Sequence, residues 1–297
     1  MPTTLQLKYQ IPFLDFLKFE KRYSKHTIIS YETDLTQFFS FIDQLYRIEN
    51  IAEINTSFIR SWLANLKEQQ LDAKSINRKI STLKSLFKFL LKNEYVTNSP
   101  MGSIVSPKIS KRLPSFIEEN QLKTLFEHVE FSDSFEDQTK KMILILFYAT
   151  GIRLSELINL KISQLDFANQ QLKVLGKGNK ERIIPISKTV IENLKEFINN
   201  NENKTTDLLF ETTKGKPLQA RYVYGFVKYY LSLVTTIKKK SPHILRHSFA
   251  THLMNNGAEI NAVKELLGHS SLAATQVYTH NTIDKLKEVF NKAHPKA

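Results

Sequence analysis

Apolar residues in the first third of the chain recur every three or four positions, which is the spacing of one face of an α-helix. Polar stretches separate these residues into four groups. The groups are Phe13 to Leu17, Tyr31 to Ile42, Phe58 to Leu66 and Ile76 to Leu90. The pattern therefore predicts an N-terminal bundle of four amphipathic helices.

The remainder of the chain is also mostly helical by period, with one clear interruption. Two short β-prone runs within Leu172 to Ile186 flank a glycine-rich polar turn, and Lys177 lies near the tip of that turn. This pattern predicts a β-hairpin. The predicted fold class is mainly α, with a four-helix N-terminal domain and a mostly helical C-terminal domain that carries a small hairpin or sheet.

A proline-rich segment marks the division between the two domains. Pro100, Pro107 and Pro114 fall within fifteen residues, and prolines so closely spaced favour an extended linker over a helix. Ser115 and Glu118 then form a capping-box pattern, which predicts that a new helix begins there. We therefore divide the chain into an N-terminal domain (1–107), a basic linker (108–114) and a C-terminal domain (115–297).

Composition narrows the classes of protein that the chain can belong to. The 297 residues include no cysteine, which excludes disulfide scaffolds, thiolate metal sites and cysteine nucleophiles. The longest apolar run, Met142 to Ala149, is eight residues long, whereas a membrane helix needs roughly 18 or more. The N-terminus also lacks the basic and apolar regions of a secretion signal. We expect a cytoplasmic protein without a membrane anchor.

The charge balance points to a polyanionic partner. Lysine and arginine outnumber the acids by 42 to 29, for a formal net charge of +13, which is typical of proteins that bind nucleic acid. The fourth predicted helix has an apolar face and a basic face. We predict DNA contacts on that basic face and in the linker, with a merely solvated lysine face as the alternative. The residues concerned are Lys74, Arg78, Lys84, Lys88, Lys92, Lys108, Lys111 and Arg112.

One helical segment carries a compact polar group at its start. Ser241 suits an N-cap and Pro242 the first helical position, so that His243, Arg246 and His247 share one face of the first turn. A helix N-terminus favours a phosphate there, although such a group is often an ordinary polar surface. No zinc site is expected among the histidines, because no suitably spaced pair has a third ligand and Arg246 would repel a metal ion.

Two helix ends carry further candidates. A helix that looks buried ends at Gly151, and Arg153 follows it before the next helical pattern. Gly268 ends another helix and is followed by His269, and Tyr278 closes the short segment after it.

Taken together, six positions in order resemble the tyrosine recombinases, and among them the Xer type. They are Arg153 in Ala-Thr-Gly-Ile-Arg-Leu-Ser-Glu-Leu, Lys177 in Gly-Lys-Gly-Asn-Lys-Glu-Arg, His243 and Arg246 in His-Ile-Leu-Arg-His, His269 in Leu-Leu-Gly-His-Ser-Ser-Leu, and Tyr278 in Tyr-Thr-His. The segment that begins Asn77-Arg-Lys-Ile-Ser-Thr-Leu resembles the family's core-binding domain. The likeness covers nearly the whole chain, and six positions in order are far more specific than any one motif.

The resemblance implies an enzyme that cuts duplex DNA at a short specific site and rejoins it without a metal ion or ATP. Tyr278 would attack the phosphodiester and form a 3′-phosphotyrosyl link. Arg153 and Arg246 would bind the non-bridging oxygens, and Glu156 would brace Arg153 without being catalytic itself.

The remaining roles also follow from the resemblance. Lys177 would protonate the departing 5′ oxygen, His243 would exchange a proton with the tyrosine, and His269 would hydrogen-bond the phosphate. The family further implies a clamp around duplex DNA and a tetramer, formed either by one recombinase or with a second one. The short stretch before the first helix leaves no room for an arm-binding domain and favours a Xer-like role. That role is the resolution of chromosome dimers at cell division, with a septal DNA translocase as a candidate partner.

Other functions stay open at this point. The chain could serve as the integrase or transposase of a mobile element, as a type IB topoisomerase-like enzyme, or as a DNA-binding regulator without activity. Where the C-terminal tail packs is also open. Its apolar residues Ile283, Leu286, Val289 and Phe290 recur at helical spacing. In the family such a tail docks on a neighbouring protomer, and the alternative is packing on its own domain.

Overall fold

The computed structural model describes residues 3–109, 115–176, 181–201, 204, 206–212, 214–268, 288–290 and 292–295. These residues are mostly helical with one small antiparallel sheet, which confirms the predicted fold class. The chain divides into two compact units, residues 1–112 and 113–297. Among the helices within the described ranges, none combines the length and apolar character needed to cross a membrane.

The N-terminal unit contains the four predicted helical segments. The first is α1 (Ile11–Asp15), which lies between two π-helical turns (Gln6–Gln10 and Phe16–Glu20), and it is followed by α2 (Lys25–Tyr46), α3 (Thr56–Glu68) and α4 (Ala73–Lys92). The side chains of Ser24, Asn55 and Asp72 accept hydrogen bonds from the first free amides of α2, α3 and α4, which fixes where these helices begin. Phe38 and Trp62 pack edge to face at the centre of the core.

The predicted basic face is present on α4. Its five members, Lys74, Arg78, Lys84, Lys88 and Lys92, are all exposed. On the opposite side Lys79 is buried, with Nζ 2.8 Å from the carboxylate of the fully buried Asp34. Arg78 also donates to Asp34 and to Ser30 Oγ, so one side of its guanidinium is already occupied.

The C-terminal unit is built around one helix whose C-terminal half is fully buried. Its helices are α5 (Glu119–Glu127), α6 (Phe135–Thr150), α7 (Leu154–Leu157), α8 (Lys188–Asn199), α9 (Ala220–Val234), α10 (Pro242–Asn255) and α11 (Ile260–Leu267). Every residue of α6 from Met142 to Thr150 is buried, which explains the long apolar run in the sequence. Helix α10 packs against α6. The C-terminal end of α6 and the N-terminal part of α10 therefore meet near Gly151.

A three-stranded antiparallel sheet lies beside these helices. Strands β2 (Gln171–Leu175) and β3 (Glu181–Pro185) form the predicted hairpin, and β1 (Leu165–Asp166) is a short third strand that the sequence pattern did not predict. Val174 faces Arg182 across the hairpin and Leu172 faces Ile184. Lys177, which the sequence predicts near the tip of the hairpin, lies outside the described residues, as do Lys111 and Arg112 of the predicted linker.

The start of α5 corrects one expectation. The helix begins at Glu119, and its capping box is formed by Glu118 and Gln121 in place of the predicted Ser115 and Glu118. The reason is tertiary: the amide of Ile117 donates to Ser248 Oγ on α10 at 2.9 Å, and the Ile117 side chain is fully buried. This anchoring keeps the segment before Glu119 extended.

The described part of the C-terminal tail packs on its own unit. Phe290 and Ala293 are buried in the same core as α6 and α10, and the Phe290 ring stacks on His294 with centroids 4.9 Å apart. These contacts favour the alternative of packing within the domain for this part of the tail. Ile283 and Leu286 lie outside the described residues.

Candidate active site

The first component of the site is the turn between α6 and α7. Gly151 ends α6 in the left-handed region (φ +59°), where a Cβ atom would lie 2.6 Å from the Phe249 ring. Only glycine suits both the conformation and the space. Arg153 then occupies the N-cap of α7, and its backbone amide and Nη1 both donate to the Glu156 carboxylate at 2.9 Å. The predicted bracing of Arg153 by Glu156 is therefore present.

Arg246 forms the second component and is held by backbone oxygens. It lies on α10 and is 8% exposed, and its two Nη atoms donate to the carbonyls of Gly151 and Leu267. Burial lowers the pKa of Arg246 to about 9, and the positive charges of Arg153 and Arg182 contribute to that shift. Like charges held this close indicate a site that is built to receive an anion.

His243 lies one helical turn before Arg246 and is exposed. Partial burial lowers its pKa below the ordinary 6.5, as do the positive charges of Arg246, Lys239 and Arg153. The imidazole is therefore neutral near pH 7 and can accept a proton. His243, Arg246 and Arg153 are thus brought together, as the sequence predicts.

Three consecutive carbonyl groups at the C-terminal end of α11 each accept a hydrogen bond from a different arginine. The Leu266 carbonyl accepts from Arg182 Nε at 3.0 Å, the Leu267 carbonyl accepts from Arg246, and the Gly268 carbonyl accepts from Arg153 Nη2 at 2.7 Å. Free carbonyls and the negative end of the helix dipole both stabilise cations at this position. Gly268 permits the arrangement, because it adopts φ +61° and a Cβ would lie 2.9 Å from Arg182 Cδ.

The remaining predicted catalytic residues, Lys177, His269 and Tyr278, lie outside the described residues. Two of them are adjacent to the described site in sequence. His269 follows Gly268 directly, and Lys177 follows Gly176 at the end of β2. Their assignments stay predictions.

Sequence reasoning missed Arg182 and Lys239. Arg182 is buried on β3 and binds both oxygens of Glu156 at 2.8 Å. A signal for it was available, because Arg182 and Ile184 lie two positions apart on a strand and therefore share its inward face. An arginine at an inward position needs a buried acceptor. Lys239 precedes α10 and is exposed, and it offered no comparable signal.

The Glu156 carboxylate carries an opposing pair of effects on its pKa. Burial alone would raise it, but hydrogen bonds and the charge of Arg182, followed by those of Arg153, lower the pKa to about 2. Because the folded pKa lies below the ordinary value of 4.5, ionised Glu156 stabilises the fold above pH 4.5. That contribution is lost as the pH falls towards 2.

We expect Glu156→Gln to lower the free energy of unfolding by about 3 kcal/mol at pH 7, because Arg182 is left buried without its counter-ion. The difference from wild type should shrink as the pH is lowered from 4.5 towards 2. Urea unfolding of the full chain at several pH values measures both effects. Glu192→Gln is the matched control, since Glu192 is exposed and only weakly paired with Lys188, and it should cause a much smaller change. A constant difference across this pH range would contradict the assigned role of the carboxylate.

Comparison with known proteins agrees with this geometry. Residues 115–285 match the Phage integrase family, and residues 11–94 match the Phage integrase, N-terminal SAM-like domain. Both units of the chain are therefore accounted for. The chain belongs to the phage integrase family and is a tyrosine recombinase, an enzyme of the class that cuts and rejoins DNA with a tyrosine nucleophile.

Its relatives include Xer recombinases. The chain is 38% identical to Tyrosine recombinase XerC of Halalkalibacterium halodurans, with 96% of each chain covered. It is also 38% identical to Tyrosine recombinase XerD of Staphylococcus haemolyticus, with 96% of this chain and 98% of the relative covered. Among solved structures, the XerH site-specific recombinase bound to palindromic difH substrate in a post-cleavage complex has a TM-score of 0.72 at 26% identity, covering 88% of this chain and 78% of that one. The resemblance drawn from the six positions is confirmed.

Proposed function

We propose that this recombinase acts at a short specific site in duplex DNA and that Tyr278 is its nucleophile. The observation that carries the proposal is the pair of guanidinium groups of Arg153 and Arg246, which rest on the adjacent carbonyls of Gly268 and Leu267. Both groups are held in place by backbone acceptors of the protein itself. Such preorganised donors suit the two non-bridging oxygens of a phosphodiester, where charge develops during cleavage.

In the proposed reaction one phosphate ester bond forms while another breaks, so the energy of the phosphodiester bond is conserved in the intermediate. The Tyr278 oxygen forms a bond to phosphorus while the bond from phosphorus to the 5′ oxygen breaks. Neutral His243 receives the phenolic proton, and Lys177 donates a proton to the departing 5′ oxygen. His269 hydrogen-bonds the phosphate. Reversal of these steps with a different 5′-hydroxyl rejoins the strand, so strand exchange needs no further energy source.

The proposed biological role is the Xer-type resolution of chromosome dimers at cell division, in the cytoplasm. It is supported by near full-length similarity to relatives named XerC and XerD. The assembly would be a tetramer on DNA, made of this chain alone or with a second recombinase, and a septal DNA translocase would be a further partner.

The exposed basic face of α4 supports a contact with the DNA backbone. Lys84 and Lys88 lie one turn apart on that face and point to solvent. We expect the double variant Lys84→Ala/Lys88→Ala to weaken binding to all duplexes alike and to reduce the slope of log Kd against log salt by about 2, or roughly 0.9 per lost phosphate contact. Lys67→Ala on α3 is the matched control, because Lys67 is also exposed in this unit. An unchanged salt slope would leave these lysines as a solvated face.

The role itself is tested by sequencing the DNA that becomes covalently attached to the protein in cells. Attachment at one chromosomal site supports the proposed role, whereas attachment at the ends of a mobile element supports an integrase or transposase. Recombination of a plasmid that carries two copies of the recovered site separates a recombinase from a topoisomerase-like enzyme, which would relax the plasmid without exchanging strands. A protein that binds DNA and never becomes attached would be a regulator.

A further inference from the structure

Arg182 is buried in the site and donates to protein acceptors through all three of its guanidinium nitrogens. Its side chain is 4% exposed, so it is not placed to contact a bound phosphate. Nη1 and Nη2 each donate to one oxygen of Glu156 at 2.8 Å, and Nε donates to the Leu266 carbonyl at 3.0 Å. This geometry is a bidentate fork with a third bond through Nε, which only arginine among the side chains can form.

Arg182 and Arg153 share Glu156 as an acceptor, and their carbonyl acceptors lie two residues apart at the end of α11. Glu156 also accepts from the amide and Nη1 of Arg153, and the Leu266 carbonyl precedes by two residues the Gly268 carbonyl that accepts from Arg153 Nη2. Arg182 therefore fixes both supports on which the Arg153 guanidinium rests. A displacement of either support by about 1 Å would move Arg153 away from a productive position, which typically costs about 100-fold in rate.

The charges of Glu156, Arg153 and Arg182 also indicate that Arg182 supports the function of Arg153. A pair made of Glu156 and Arg153 alone has no net charge, and its carboxylate would compete with a phosphate for the guanidinium. With Arg182 present, the group carries one positive charge, and the Glu156 oxygens are already occupied by the second arginine. Arg153, whose side chain is 29% exposed, then retains the capacity to attract an anion.

Arg182 also lies next to two segments that lead in sequence to predicted catalytic residues. Its strand, β3, begins four residues after Lys177. The α11 end that it contacts leads into His269, and its Cδ is the atom closest to a Cβ built on Gly268. We propose that Arg182 is a positioning residue for strand cleavage, which holds Glu156 and the carbonyl end of α11 so that the Arg153 guanidinium faces the scissile phosphate. This inference rests on the proposed function of Arg153.

The test compares two DNA substrates in single-turnover cleavage by Arg182→Lys. Lysine keeps the charge but loses the fork, so the Arg153 clamp is misplaced. On a nicked suicide substrate with a normal phosphodiester, we expect cleavage to fall by about 100-fold, while half-site binding stays within about 3-fold of wild type. On the same substrate with a methylphosphonate at the scissile position, one charged oxygen is absent and the clamp matters less. There the variant should approach the wild-type rate.

A purely structural role for Arg182 predicts a different result. Partial unfolding would reduce cleavage of both substrates by the same factor, and that outcome would overturn the proposal. Lys79→Met is the matched control, because Lys79 is likewise buried in an ion pair, but with Asp34 in the N-terminal unit. For Lys79→Met, the ratio of the cleavage rates on the phosphodiester and on the methylphosphonate should equal that of wild type.

A second variant covers the case in which Arg182→Lys does not fold. Glu156→Asp keeps the carboxylate but withdraws it by one methylene from the fork of Arg182, and it should show the same substrate-dependent loss. Equal loss on both substrates by this variant would again contradict the positioning role. Failure of the wild-type protein to form an adduct on the phosphodiester would instead count against the proposed function, so the two failures are distinguishable.

Discussion

Tyr278→Phe is expected to abolish the covalent protein–DNA adduct while leaving half-site binding unchanged. Phenylalanine keeps the ring and its packing but lacks the oxygen that attacks phosphorus, and no group described near Arg153 and Arg246 offers a comparable nucleophile. The loss should be at least ~10⁴-fold, as expected when a nucleophile is removed from an otherwise intact site. A nicked suicide substrate, which prevents rejoining, allows the adduct to be counted on a denaturing gel.

The control for this variant is a second tyrosine that is accessible but is not proposed to react. Tyr229→Phe meets that condition, because Tyr229 is exposed on α9, and it should form the adduct at the wild-type rate. Adduct formation by Tyr278→Phe would remove Tyr278 as the nucleophile. Loss of adduct in both variants would point to a defect in folding or DNA binding, which the half-site measurement would reveal.

Arg153→Ala and Lys177→Ala should both cleave a normal phosphodiester slowly. A substrate with sulfur in place of the bridging 5′ oxygen should distinguish the two variants. Loss of Arg153 removes charge stabilisation of the non-bridging oxygens, which costs about 10²- to 10³-fold for a preorganised donor. Loss of Lys177 removes the general acid for the 5′ oxygen, which costs about 10²- to 10⁴-fold. A 5′-bridging sulfur is a leaving group that hardly needs a proton.

On the sulfur substrate we therefore expect Lys177→Ala to recover most of its activity and Arg153→Ala to stay slow. Lys173→Ala supplies the comparison for a lysine on the same hairpin, since Lys173 is exposed on β2, and it should cleave both substrates normally. If Lys177→Ala is equally impaired with oxygen and with sulfur, Lys177 contacts the backbone and is not the general acid. The assignment of the family would stand in either case.

The capping box before α5 shows how local signals can mislead. Ser115 and Glu118 have the residue types and spacing of a capping box, whereas Glu118 is not among the preferred N-cap residues, so the local pattern favoured the start that the structure does not use. The choice was made by Ile117, which is buried and is bonded to Ser248 on a helix 131 residues away. A contact of that kind has no local signature.

Local chemistry was sufficient to predict much of this protein. The helices followed from apolar spacing, the ends of α6 and α11 from Gly151 and Gly268, and the hairpin from two short β-prone runs, because each depends on residues within a few positions of one another. The end of α6 identified Arg153 as a candidate, and the helix start at Ser241 and Pro242 identified Arg246. What the sequence by itself determined is therefore the set of elements and the residues able to bind a phosphate.

Only the tertiary structure decided how those residues are held. The Leu266, Leu267 and Gly268 carbonyls of α11 accept from arginines on three other segments, and the bond from Arg182 to Leu266 spans 84 residues while the bond from Arg153 to Gly268 spans 115. Arg182 looked in sequence like one of many basic residues. Folding buries Arg182 against Glu156, and a buried charge needs hydrogen-bond partners. The planar guanidinium of Arg182 then fixes the positions of those partners.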